Sequence, residues 1–252
     1  MLPLAVLGGL FLGLPLLALL IRAPWPRAIA LLAEPGTLDA LRLSAATTAA
    51  ATAVALVFGV PLAYVFARVS FPGRDVVRAL AVLPMVLPPV VGGIALLEAY
   101  GRRGLLGEPL QAFGVTIPFT TLAVVFAEAF VAMPFLVVTV EAAIRSLDSR
   151  FEEAARTLGA RPWTVFRRVT LPLVAPAVVA GGTLAAARAL GEFGATITFA
   201  GNFPAVTQTS PLAAYLFLQT DPDAALLLSV IMLVFSLAVL VALRGRWLGA
   251  RS

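Results

Sequence analysis

Six runs of about 20 mostly apolar residues recur along the chain, at about 2–21, 44–66, 77–97, 119–140, 173–195 and 224–243, with polar, arginine-bearing stretches between them. Each run is as long as a helix needs to cross the ~30 Å hydrocarbon core of a bilayer. The pattern predicts an all-α polytopic membrane protein of about six transmembrane helices, one domain over residues 1–252 with no separate soluble unit. The third run differs from the others. Leu83-Pro-Met-Val-Leu-Pro-Pro-Val-Val-Gly-Gly93 places three prolines beside paired glycines. Proline removes a backbone donor and kinks a helix, which a membrane tolerates where neighbours or water satisfy the freed groups. Pro88, Pro89 and Gly92 are therefore candidates for a pathway or gate. Simple close packing explains them equally well.

Between the fourth and fifth runs lies a polar loop, residues 141–172, with a period of its own. Ser149 and Glu152 have capping-box spacing, which predicts a helix starting near Arg150. Phe151, Ala154, Ala155 and Leu158 then follow at i, i+3, i+4 and i+7, on one face. Gly159 suits the left-handed position that ends a helix, and Pro162 suits the first turn of the next. Trp163, Phe166 and Val169 form the apolar face of that second helix, with Arg167 and Arg168 beside it. The loop thus encodes two short amphipathic helices at a sharp turn. Such a pair could also lie on anionic lipid.

Composition sharpens this picture. Apolar residues make up 61% of the chain and charged residues 12%, with a mean hydropathy of +1.01; a soluble domain is about half apolar and a quarter charged. There is no Cys, His or Lys, and all 18 basic residues are Arg. Disulfides, Cys/His metal sites and Ser-His or Cys-His nucleophiles are excluded. So is a P-loop, whose lysine reaches the terminal phosphates. The net charge of +5 does not predict nucleic-acid binding, because the arginines track the loops. With the N-terminus inside, twelve arginines fall in cytoplasmic segments (68, 74, 78, 145, 150, 156, 161, 167, 168, 244, 246 and 251) and five outside (22, 27, 42, 102 and 103). The positive-inside rule then puts both termini and the 141–172 loop in the cytoplasm. Arg22 and Arg27 alone oppose this, locally to the first helix. Residues 1–21 lack the basic n-region and short core of a cleaved signal, so a retained helix is predicted. No internal repeat is evident.

The loop carries a longer pattern: Glu153-Ala-Ala, three residues, Gly159, nine residues, Val169, one residue, Leu171-Pro172. It resembles the EAA loop of ABC importer permeases, with Val169 where Ile is common. That resemblance implies that Glu152, Glu153, Ala154, Ala155, Gly159, Arg161, Pro162, Trp163, Leu171 and Pro172 couple the chain to an ATPase subunit. Three further stretches are similar to the molybdate permease family, with sulfate and tungstate permeases as close relatives: 83–93, Gly101-Arg-Arg-Gly-Leu-Leu-Gly-Glu108, and Ala187-Arg-Ala-Leu-Gly-Glu-Phe-Gly-Ala-Thr-Ile-Thr-Phe-Ala-Gly-Asn202. The resemblance implies a type I ABC importer permease fold and a homodimer in a bacterial or archaeal cytoplasmic membrane. It also implies two cytoplasmic ATPase subunits that hold ATP and Mg, and an external oxyanion-binding protein. The permease itself would be no enzyme and would bind no cofactor or metal.

Three ionisable residues fall inside predicted spans: Glu128, Arg188 and Glu192. Each costs roughly 2.5–3.5 kcal/mol at a helix centre on insertion scales, so each should face protein or water. Arg188 and Glu192, four apart, can pair, either as a structural ion pair or as a gate element. Glu128 could pair with Arg188. Thr196, Thr198, Asn202, Thr207, Gln208, Thr209 and Ser210 follow the fifth run, as an external mouth or an ordinary polar loop. Two rival functions remain. One is a proton-coupled secondary transporter using the three ionisable groups; the other is a scaffold that binds a partner through the loop.

Overall fold

The computed structural model describes residues 1–248, with side chains through Val239 and at Val241. Arg251 lies outside the described residues, as do the side chains of Arg244 and Arg246. All regular structure among the described residues is helical. Among the described residues five helices are long and apolar enough to cross a membrane, or six if one bent pair is counted as a single crossing.

The helix α5 (Thr121–Ser146) forms the centre. Thr120 starts it by accepting a hydrogen bond from the Ala123 amide at 3.3 Å, which satisfies one of the orphan donors at a helix start. Its buried residues run all round it, because it packs on two sides. Towards one end, Leu136, Val137, Val140 and Ile144 meet Ala63 and Phe66 of α2 (Pro35–Arg68) and Val174 of α7 (Pro162–Leu190). Towards the other, Ala123, Val124, Ala127 and Val131 meet Leu96 of α4 (Pro89–Tyr100) and Phe199 of α8 (Gly194–Phe199). Small residues set the spacing, as they do where lipid supplies no hydrophobic drive between helices. An added Cβ at Gly181 would stand 3.3 Å from the α5 backbone at Leu136.

Several helices depart from the apolar runs. The second reaches back to Pro35 and the fifth to Pro162, well before residues 44 and 173. Hydropathy marks the length in lipid, whereas a helix continues as long as its backbone bonds are undisturbed. The loop between α5 and α7 accordingly narrows from 141–172 to residues 147–161. Both α2 and α7 contain one π turn, at Ala55–Gly59 and Phe166–Thr170. The third run is no straight span: α3 (Arg74–Met85) and α4 meet at 119° across residues 86–88. Pro84, Pro88 and Pro89 account for the break. The run 173–195 also stops short, at Leu190, and resumes as α8 after Gly191.

The first helix, α1 (Leu2–Arg22), has no buried residue. The last, α10 (Pro222–Leu248), packs against α9 (Ser210–Thr220), which no apolar run foretells. Short helices at Ala28–Ala33 and Gly107–Ala112 complete the chain.

Candidate functional site

Two regions gather the residues that the sequence singles out. In the first, α6 (Arg150–Thr157) and the first turn of α7 form the predicted helix pair. Gly159 ends α6 with φ at +83°. There the Ala160 amide bonds the Ala155 carbonyl at 3.0 Å and the Gly159 amide bonds the Arg156 carbonyl at 2.9 Å, the paired closure of a Schellman turn. Pro162 opens α7 at its first position.

The capping box does not form. Ser149 makes no side-chain cap, and Asp148 Oδ1 accepts from the Arg150 amide instead. Glu152 turns inward and is 2% exposed. Its Oε2 lies 2.9 Å from Arg68 Nε at the end of α2, and its Oε1 accepts from Thr170 Oγ1 at 2.6 Å. Arg68 Nη2 also donates to the Leu147 carbonyl at 3.0 Å. The ion pair and the hydrogen bond to a charged acceptor fix the back of α6 to α2 and α7, and Arg68 carries the link on to the end of α5.

The front of α6 is different. Phe151 is 55% exposed and Leu158 88%, with Ala154 exposed between them and Trp163 of α7 65% exposed beside them. Glu153, Gly159, Arg161, Pro162 and Pro172 are also exposed, while Ala155 and Leu171 are half-buried. The expected apolar face of the second helix divides in two. Trp163 faces out, whereas Phe166 is buried edge-on to Tyr64 at 5.0 Å and lies 5.4 Å from the Trp163 ring. An exposed aromatic and aliphatic patch on a rigid base is the anatomy of a protein contact.

The second region is the seam between α4 and α8. An added Cβ at Gly93 would sit 2.6 Å from Thr198 Cβ, and one at Gly194 would sit 2.6 Å from Pro89 Cβ. The seam thus sets Thr198 against Gly93 and Pro89 against Gly194. Gly92 points elsewhere, towards Phe130 of α5, and Pro88 is exposed at the break before α4. Thr196 is fully buried. Arg188 Nη2 meets Glu192 Oε2 at 2.7 Å, and Glu192 Oε1 accepts from the Ala195 amide at 2.8 Å. This pair therefore braces the break between α7 and α8.

Two expectations fail here. Thr207, Gln208, Thr209 and Ser210 do not form an exposed mouth; all four are buried. The Ser210 amide donates to Ser44 Oγ at 2.7 Å and its hydroxyl to the Ala40 carbonyl at 3.2 Å, so the segment is an inward plug on α2. Hydroxyls at Ser44, Thr47 and Thr48 on the buried face of α2 explain why a polar segment can pack there. Glu128 does not pair with Arg188 either. It accepts from Thr47 Oγ1 at 2.9 Å and has no cationic partner among the described residues. A cavity of about 510 Å³ opens between α2, α7 and α10, touched by Ser44, Thr48 and Ser210, and another of about 690 Å³ lies at the Gly101–Gly104 turn with Arg102 and Arg103. None of Pro88, Pro89, Gly92, Arg188, Glu192, Thr196 or Thr198 lines either.

The sequence reading missed Arg68, Thr170, Arg78 and Glu141 as site residues. The i, i+4 spacing of Glu141 and Arg145 was the available signal for the last.

Residues 55–251 match the family described as binding-protein-dependent transport system inner membrane component. The chain belongs to that family. As such a permease component it is a multi-pass membrane protein and not itself catalytic. Among curated relatives, the molybdenum transport system permease protein ModB of Mycobacterium tuberculosis is 51% identical over 244 residues, covering 96% of this chain and 92% of the relative. The Escherichia coli ModB is 41% identical, covering 83% and 92%. The sulfate transport system permease protein CysT of Escherichia coli stands at 37%, covering 94% and 89%. Among solved structures, a bacterial alginate ABC transporter in complex with its pentasaccharide-bound periplasmic protein superposes with a TM-score of 0.67 at 18% identity, covering 94% of this chain and 90% of that one. An inward-facing MetNI methionine ABC transporter gives 0.63 at 18% identity, covering 81% and 91%. At that identity the likeness shows the fold, that of a type I ABC importer permease. The secondary-transporter and scaffold readings fall away with the family.

Proposed function

We propose that this permease carries molybdate, and its close mimic tungstate, across the cytoplasmic membrane as half of a homodimer. Two cytoplasmic ATPase subunits, which would hold ATP and Mg, and an extracytoplasmic oxyanion-binding protein complete the machine. Both termini and the α6 loop would face the cytoplasm. The observation that carries the reading is the two-faced loop. Phe151, Ala154, Leu158 and Trp163 offer an apolar front for a groove on the ATPase, while Glu152 is gripped from behind by Arg68 and Thr170. A patch so anchored transmits displacement, where a loose loop would dissipate it.

ATP-driven closure of the ATPases would draw the two loops together and open the seam side of each permease outward. The binding protein would release its anion into the cavity, and hydrolysis would restore the inward-facing state. Ser44, Thr48 and Ser210, which touch the 510 Å³ cavity, would offer a divalent anion hydrogen bonds without fixed charge; substrate choice would rest mainly with the binding protein. The greater likeness to ModB than to CysT favours molybdate over sulfate.

Tracer uptake into proteoliposomes containing the permease, its ATPase and its binding protein tests this. ATP-dependent molybdate uptake that resists excess sulfate is the expected result. Uptake abolished by sulfate changes the cargo, and uptake driven by a proton gradient without ATP overturns the proposal.

A further inference from the structure

A second buried carboxylate lies behind the loop, outside the residues that form its docking face. Glu141, on the last turns of α5, is 1% exposed. Arg78 of α3 reaches both its oxygens through Nε, at 2.8 and 2.9 Å. Arg145, one turn further along α5, bonds Oε1 at 2.8 Å and sends Nη2 to the Phe66 carbonyl of α2 at 3.1 Å. Phe66 is two residues before Arg68, which holds Glu152 of the loop. Two carboxylates and three arginines thus tie the ends of α2, α3 and α5 to α6.

The position of α3 makes this more than a fold contact. None of Arg74–Val82 on it is buried and Val76, Val77 and Leu80 are exposed; Ala81 packs on the core beside α5, and Arg78–Glu141 is the charged link between the two helices. Beyond α3 the chain turns through 119° into α4, whose Pro89 and Gly93 form the tight seam with Gly194 and Thr198 of α8. We infer that Glu141 is a positioning residue for transport: by clamping Arg78 it makes α3 follow the loop, and so delivers the loop's displacement to the α4–α8 seam. This inference rests on the importer reading above. A buried carboxylate suits the role because it holds its cationic partners strongly and in one geometry.

The test is made on the complete transporter, permease with ATPase and binding protein, in proteoliposomes, reading molybdate carried per ATP hydrolysed. Removing Glu141 alone would strand two arginines, so the first variant is Arg78→Gln, which leaves Glu141 neutralised by Arg145. The complex is expected to assemble and hydrolyse ATP, with transport per ATP lowered about tenfold, the size of an ordinary coupling term. Arg78→Lys, which keeps the charge, should recover part of that loss. Adding Glu141→Gln to Arg78→Gln should cost less than a further twofold, because both act through one link. A ratio within about twofold of the parent in Arg78→Gln overturns the inference. So does failure of both Arg78 variants to assemble, or an equal fall in hydrolysis and uptake, since the pair would then serve folding alone. A parent complex that shows no ATP-dependent uptake overturns the importer reading and takes this inference with it.

Discussion

Gly93→Ala is the sharpest probe of the α4–α8 seam. The new methyl would lie 2.6 Å from Thr198 Cβ, 2.9 Å from the Ala195 carbonyl oxygen and 3.1 Å from Ala195 Cα. Carbon atoms rest at about 3.5–4.0 Å, so α4 and α8 must part by roughly 1 Å. Two of the three obstacles are backbone and cannot swing aside. Overpacking of this kind costs about 1–3 kcal/mol, which translates to a lowering of the unfolding midpoint by roughly 2–12 °C for a chain of this size. If the seam closes in each cycle, as the proposed mechanism requires, the same energy shifts its open–closed ratio about 5- to 150-fold. Gly182→Ala is the matched control, because its methyl would meet only side chains, Leu56 at 3.4 Å and Leu136 at 4.0 Å. The assays are thermal unfolding of the purified complex and its initial rate of ATP-driven uptake. Gly93→Ala should fall well below the parent in both, with Gly182→Ala close to it. If the two variants behave alike, the seam is neither tight nor in motion.

Three other outcomes follow from the site. Trp163→Ala removes an exposed ring from the loop's front, so membrane insertion should be unchanged while affinity for the ATPase subunit falls at least about tenfold, as expected of an aromatic anchor; a pull-down at graded ATPase concentrations reads it, and undiminished binding would move the docking face elsewhere. Glu128→Gln keeps an acceptor for Thr47 and removes a carboxylate that has no cationic partner among the described residues, so stability and uptake should stay within about twofold of the parent; abolished uptake would revive a proton-relay role. Arg188→Ala should be severe, because Glu192 is 1% exposed and would be left buried without its partner, at a cost of about 3–5 kcal/mol; a variant that accumulates normally and unfolds at the parent's temperature would show the pair to be dispensable.

Much of the fold was legible because hydropathy reports length in lipid directly. The helix pair of the loop was legible because Gly159 and Pro162 act locally, through φ and a missing donor. What was not legible depended on partners far apart in the chain. Ser149 and Glu152 matched a local capping pattern, yet Arg68, 84 positions earlier, is a stronger partner for a carboxylate than an amide at a helix start. The 207–210 segment has the composition of an exposed loop, and only the hydroxyl-bearing face of α2 shows why it is buried. Hydropathy likewise could not see that the third run folds back, since a broken and a straight helix have the same composition.

The loop's two faces also give neighbouring residues different surroundings. An outward glutamate at 153 and an inward one at 152 are adjacent in sequence, but a helix turns about 100° between them, which separates docking from anchoring. Moving the anchor by one residue would put a carboxylate into the apolar front and leave Arg68 facing none. On the proposed reading, coupling would therefore depend on register as much as on composition. Because Thr170 shares the Glu152 carboxylate from the π turn of α7, α2 and α7 are held at one point. A push on α6 reaches both spans together, which a loop tied to only one of them could not achieve.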